Sequence, residues 1–210
     1  MRKTTLMFII ACAAGTAFSC GGGGFGGMGG SGGSGELMSP AKRIRKPDTD
    51  TALVTFVRSS VMAFGVDAML WDSETLIGEL NPRHYIQYKA APGKHIFLLK
   101  GATWSYLNAN LVAGKHYVVI AKVDPGGSTA TIDLKPALPF EASPSKLEVD
   151  EWLLSLGPEH ASAEYAEVYK NPYLPALRTA IQKYDDGKVE YLTLNPGDDW
   201  PHLALNPPTE

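Results

Sequence analysis

Two Gly-Lys-His triplets, at residues 93–95 and 114–116, repeat 21 residues apart in this chain. With His84 they supply three imidazoles, and neutral imidazole is a good zinc ligand, but a zinc site needs three or four donors converging on one point. The hairpin expected around Pro92-Gly93 puts His84 and His95 on opposite strands at different heights, so the repetition reads as turn chemistry used twice. His160, Glu164 and Glu167 recur at i, i+4 and i+7, which on a helix gathers an imidazole and two carboxylates on one face. Such a face could hold the metal of an envelope enzyme, yet polar residues at helical period ordinarily mark the solvated side. No activated nucleophile can be named beside them, so no catalytic residue, metal site or cofactor is assigned. Gly29-Gly30-Ser31-Gly32-Gly33 satisfies the Gly-x-Ser-x-Gly pattern of hydrolases, but without a flanking strand and helix the match is an accident of composition.

The segment Trp104 to Leu111 carries the best-defined binding groups. Alternate residues of a strand face opposite sides, so Leu107, Ala109 and Leu111 share a core face while Trp104, Tyr106, Asn108 and Asn110 share the other. Flat aromatic surface beside amide donors and acceptors could stack on a sugar ring and bond its hydroxyls, which makes an envelope glycan a sensible ligand. A competing expectation is that C-terminal helices dock there, covering Trp104 and Tyr106 with Leu174, Leu177 and Ile181.

The elements that position this face sit in a chain with a marked N-terminus. Met1-Arg2-Lys3 is a positive n-region, followed by an apolar run from Leu6 to Ala14 and then small residues before Ser19-Cys20, the order of an export signal. The run is shorter than the roughly 20 residues of a membrane-spanning helix, and no span is expected elsewhere. Ala17-Phe18-Ser19-Cys20 resembles the lipobox of bacterial lipoproteins, which implies acylation of Cys20 as the first residue of the mature chain. Cys12, in Ile9-Ile10-Ala11-Cys12, and an ordinary secretory cut after Ser19 are the alternatives; a cut at Cys12 leaves an apolar core of about six residues, below the usual range. With Cys12 removed and Cys20 acylated, no cysteine remains for a disulfide. Residues 21–35 are almost entirely Gly and Ser, a flexible tether reaching roughly 20 Å. Lys42-Arg43-Ile44-Arg45-Lys46 follows, either a solvated linker end or a contact to an anionic membrane surface.

Residues 52–135 read as short β-strands between turns. A first hairpin joins Val66–Trp71 to Thr75–Leu80, a second joins Tyr85–Lys89 to His95–Lys100 through Pro92-Gly93, and a third joins Trp104–Leu111 to His116–Val123. Asp124-Pro125-Gly126-Gly127 then turns the chain into Ser128–Leu134. The fold expected is mainly β, an antiparallel β-sandwich of seven to eight short strands with a C-terminal α-helical extension. Ile77-Gly78-Glu79-Leu80, the Ala-Pro-Gly-Lys-His turn at 91–95 and Ala113-Gly114-Lys115-His116-Tyr117-Val118-Val119 resemble the uncharacterised bacterial lipoproteins whose small β-sandwich is PEGA-like, broadly of transthyretin type. The resemblance covers residues 52–134 and implies a binding or structural role in the envelope, without catalytic residues.

Beyond residue 140 the period changes. Ser145-Lys146-Leu147-Glu148 is a capping box opening a short helix that uses Leu147, Trp152, Leu153 and Leu156 and stops at Gly157-Pro158. A second helix is expected from Pro158 to Lys170, and a third from Asn171-Pro172 to Asp185-Asp186-Gly187 with Leu174, Leu177, Ile181 and Tyr184 on one face. Val189–Leu194 could be a final strand. The organisation expected is a signal peptide at 1–19, a lipidated tether and basic linker at 20–50, a β-sandwich at 51–138 and a helical extension packing on it at 139–210. Residues 36–140 hold 12 Lys and Arg against 9 Asp and Glu, residues 141–210 hold 5 against 13, and the acidic C-terminal part excludes nucleic acid as its partner. The sequence therefore describes a non-catalytic binding or scaffolding lipoprotein of the bacterial envelope, held at a membrane, expectedly the outer one, through Cys20. A glycan or another envelope protein would be its partner.

Replacing Cys20 with Ala should shift the protein from the membrane to the soluble fraction or leave an unprocessed precursor, because acyl chains supply about 0.8 kcal/mol of membrane affinity per buried methylene. Labelled fatty acid should mark the wild type only; a Cys20→Ala protein that still labels and sediments with membranes would refute the anchor.

Overall fold

The computed structural model describes residues 38–63, 65–126 and 130–201. Cys20, the export signal and the glycine tether lie outside these residues. The chain forms β1 (Met38–Pro40), β2 (Ala52–Arg58), β3 (Met69–Asp72), β4 (Thr75–Glu79), β5 (His84–Ala90), β6 (Gly93–Lys100), β7 (Trp104–Leu111), β8 (His116–Asp124), β9 (Thr131–Pro136), α1 (Lys146–Ser155), β10 (Gly157–Ala161), α2 (Ala163–Asp185) and β11 (Leu192–Leu194). Eleven strands are present among the described residues, in a six-stranded sheet ordered β1-β10-β5-β2-β8-β9 and a five-stranded sheet ordered β11-β7-β6-β3-β4. Both sheets are mixed: β10 with β5, β2 with β8, and β11 with β7 are parallel pairs. The protein is thus mainly β with C-terminal helices, and the purely antiparallel arrangement expected from the sequence is corrected.

The correction traces to two of the expected hairpins. The β3–β4 hairpin forms as read, with a bulge between Leu70 and Trp71, and β8 returns antiparallel as β9. The chain between β5 and β6, however, passes from one sheet to the other, as does that between β7 and β8. A hairpin would set β5 and β6 side by side in one sheet. Instead β5 runs antiparallel to β2 over its whole length, while β6 pairs with β3 and β7. Their apolar residues meet across the core: Ile86 and Ala90 on one side, Phe97 and Leu99 on the other, all buried in one cluster. Phe56 of β2 and Phe97 of β6 lock the two sheets edge to face, with ring centroids 5.1 Å apart. Gly93, at φ +123°, takes the backbone through the crossover in a conformation a side chain would strain.

The helix expected from Pro158 to Lys170 begins only at Ala163, as the start of α2, and its first residues are instead part of β10 (Gly157–Ala161), held between β1 and β5. The unpaired edge of β5 supplies partners for backbone groups that a helix would have bonded internally, and tertiary pairing overrides local preference. β1 draws part of the expected linker into the sheet. Its Met38 side chain packs over Gly78, where an added Cβ would stand 3.2 Å from Met38 Cε and 3.3 Å from Ile86 Cδ1. Arg43 of the basic cluster bonds the Tyr85 hydroxyl (2.8 Å) and the Leu154 carbonyl (3.1 Å), and the Ile44 backbone exchanges two hydrogen bonds with the Gln87 amide.

α1 begins with the capping box foreseen in the sequence: Glu148 N–H donates to Ser145 Oγ, and the Glu148 carboxylate accepts from Ser145 N–H. Val149 and Leu153 face inward, against Val57, Tyr85, Val118 and Ile120 on the outer side of the six-stranded sheet, with Trp200 sealing the layer. Leu147, expected in this apolar stripe, is 77% exposed. α2 is one continuous helix through Pro172 and Pro175, not two. Each proline removes an N–H and frees the carbonyl four residues earlier, at Val168 and Asn171. All four positions are exposed, so water can satisfy those carbonyls and the helix continues. Tyr165, Leu177 and Ala180 are buried from α2, and Tyr165 donates to Glu79 Oε2 (3.3 Å). No helix among the described residues is long and apolar enough to cross a membrane.

Leu177 is wholly buried. Leu177→Ala should destabilise the fold by about 2–5 kcal/mol in urea unfolding, whereas Leu147→Ala should stay within about 0.5 kcal/mol. Equal, small losses would show that α2 is not part of the cooperative core.

Candidate functional site

Along β7 the outward residues change character. Tyr106 is buried under α2, its ring stacked on Tyr184 with centroids 6.4 Å apart and planes 14° from parallel. Trp104 is half-buried against the core, with Lys100 Nζ 5.9 Å above its ring. Asn108 and Asn110 lie further along, beyond the end of the cover, and open into a cleft of about 480 Å3 with Ser73, Lys94, Tyr184, Thr193 and Asn195. That size falls within the roughly 300–1,000 Å3 of small-molecule sites. The four residues read as one ligand face are therefore divided: Asn108 and Asn110 are brought to the cleft, while Tyr106 and Trp104 are taken up in packing.

Register explains the convergence. Lys94 stands across from Asn110, and Ile96 across from Asn108, in the β6–β7 ladder. Thr193 stands beside Asn108 through the parallel β11. Ser73 arrives from the β3–β4 turn, its N–H bonded to the Ile96 carbonyl at 2.9 Å. Tyr184, from the last turn of α2, is held by Tyr106 on one side and by Tyr191 at 5.1 Å on another. Burial raises the Tyr184 hydroxyl above its ordinary value, so it stays a neutral donor and acceptor. The Asn108 and Asn110 amides have no protein partner among the described residues. Ser73, Thr193, Asn195 and Tyr184 carry no local signal in the sequence, since only long-range pairing brings them to β7.

His95, which with Ile96 also lines the cleft, is fixed at both ring nitrogens. Nδ1 lies 2.8 Å from Asp72 Oδ2, and Nε2 lies 2.8 Å from the Ala91 carbonyl. Only the imidazolium donates at both positions. Its pKa is raised, chiefly by the hydrogen bond to Asp72; burial opposes this, and the Asp72 charge and the Ala91 carbonyl add to it. The ring stacks on Phe97 at 5.7 Å, nearly parallel. Tyr88 also donates to Asp72 Oδ2 (3.1 Å), and its hydroxyl is pushed up to about 12, first by burial and then by the Asp72 charge. With neither nitrogen open, His95 is not placed to act as a base.

The three histidines weighed as ligands are separated. His84 faces Glu159 (3.3 Å), His95 faces Asp72, and His116 bonds Thr55 Oγ1 (2.8 Å) beneath the outer cover. His160 lies on β10 while Glu164 and Glu167 lie on α2, so the i, i+4, i+7 face expected of them does not exist. Among the described residues, no group of three or more His, Cys, Asp or Glu is arranged to hold a metal.

Because its folded pKa is raised, protonated His95 contributes stability that is complete below the ordinary imidazole value and is lost as pH rises through the raised one. His95→Gln should therefore lower the urea midpoint more at pH 5 than at pH 9. Equal losses at both would remove the imidazolium from the account.

Compared with protein-family models, with curated proteins and with solved structures, the chain matches none.

Proposed function

We propose that this protein is a lipid-anchored binding module of the bacterial cell envelope, acylated at Cys20, that takes up a hydroxyl-rich ligand and does not transform it. The reading includes the outer membrane as its location and a PEGA-like, transthyretin-type sandwich as its body, on the turn motifs at 77–80, 91–95 and 113–119. The observation that carries it is the cleft: two unpartnered amides, Asn108 and Asn110, beside the hydroxyls of Ser73, Thr193 and Tyr184 on rigid strands and a helix end. Such groups match sugar hydroxyls, each able to donate and accept. Binding without chemistry is supported by His95, whose two nitrogens are committed to Asp72 and the Ala91 carbonyl.

The test uses the full chain in mild detergent with insoluble peptidoglycan and with immobilised lipopolysaccharide. Wild type should be retained on one of them, and the Asn108→Ala, Asn110→Ala double variant should wash through with an unchanged melting temperature. Failure of the wild type to bind either glycan, or equal retention of the variant, would overturn the assignment.

A further inference from the structure

One unpaired cation, Lys94, lines the cleft beside His95, whose charge Asp72 offsets. None of the cleft's lining residues is Asp or Glu, although the chain as a whole carries a net charge of −3. Neighbouring carboxylates are already engaged. Asp72 accepts from His95 and Tyr88, Glu74 takes Arg178 through both oxygens, and Asp198 accepts from the backbone N–H and side-chain amide of Asn195. Asp186 is bonded by Lys188 and Gln182, and Asp185, whose charge helps to raise the Tyr184 hydroxyl, does not line the cleft.

Among the described lysines, Lys42, Lys46, Lys94, Lys100, Lys170 and Lys183 have no carboxylate partner, and of these Lys94 lines the cleft. Lys89, Lys115, Lys122, Lys135, Lys146 and Lys188 each pair with a carboxylate. Lys94 is exposed at the cleft, directly across from Asn110, and has no ion pair or hydrogen bond among the described residues. A cation left unpaired next to two unpartnered amides is placed for a ligand that brings its own anion.

We propose that the cleft selects an acidic saccharide, with a carboxylate or phosphate on Lys94 Nζ and adjoining hydroxyls on Asn108 and Asn110. The inference rests on the binding role assigned to the cleft, and it adds the ligand's charge. A neutral glycan would satisfy the amides and leave Lys94 unused. The contact at Lys94 is solvent-exposed, so its contribution corresponds to about a fivefold gain in affinity at low salt, fading as salt rises.

Calorimetry on the full chain in detergent separates the possibilities, with hexagalacturonate, its methyl ester, a phosphorylated hexose and the neutral hexose as probes. Hexagalacturonate or the phosphorylated hexose should bind about fivefold more tightly than its neutral counterpart in low salt, and the stronger of the two preferences identifies the anion. Lys94→Gln should abolish that preference while leaving affinity for the neutral sugar within about twofold. Neutral and acidic sugars binding alike, or a preference that survives Lys94→Gln, would overturn the acidic ligand while the glycan-binding role stands. No binding by any probe would overturn both.

Discussion

Strands β2, β3 and most of β8 are buried on both faces, and this constraint governs the rest of the architecture. All seven residues of β2 are buried, as are the first six of β8 and all four of β3. A strand in a two-layer antiparallel protein commonly leaves alternate residues to water, whereas a strand buried on both sides needs cover above and below. The inner faces close on each other through Phe56 and Phe97. The outer faces must be covered by something else, and the C-terminal third of the chain does this: α1 and Trp200 over one sheet, α2 over the other. Most of the polar groups drawn in are matched, although Thr51 Oγ1, Arg58 Nε and Trp71 Nε1 are buried without a hydrogen bond among the described residues. Thr55 meets His116, and Arg58, 1% exposed, spends its guanidinium on the carbonyls of Val66, Leu80, Met62 and Ala63.

The candidate site follows from where that cover stops. Along one side of β7 the residues run Trp104, Tyr106, Asn108, Asn110, and the change from aromatic to amide falls where α2 ends and β11 takes its place beside the strand. Aromatic rings under the helix contribute burial; amides beyond it meet solvent. The cleft is therefore a boundary between packing layers, lined from five stretches of chain that are separate in sequence.

The parts of this arrangement that were legible in the residues are those set by local chemistry. The Ser145–Glu148 capping box, the β3–β4 turn, the β8–β9 return and the alternation of β7 all depend on side chains a few positions apart. The parts that were not legible depend on which strand finds which. Pro92-Gly93 permits a hairpin and a crossover equally, and the choice between them is made by Ile86 and Phe97 meeting across a core. Pro158 and Pro172 look like helix boundaries, but the first is claimed by the open edge of β5 and the second sits on an exposed turn where water can replace the lost bond. At the site, Asn108 and Asn110 could be singled out from the strand pattern, while Tyr184 and Thr193 required the helix and the parallel β11 to be placed first. The His95–Asp72 pair likewise needed the β3–β6 register.

The way β1 joins the body has a mechanical consequence. Any pull along the chain preceding Met38 falls first on three residues paired with β10, then on the bonds of Arg43 and Ile44 to Tyr85, Leu154 and Gln87, and only afterwards on β2 at the centre of its sheet. Peeling residues 38–51 would release roughly 45–50 Å of chain at full extension while the central strands remained paired. Residues 38–51 would thus lengthen under such a load before it reached the core or the cleft.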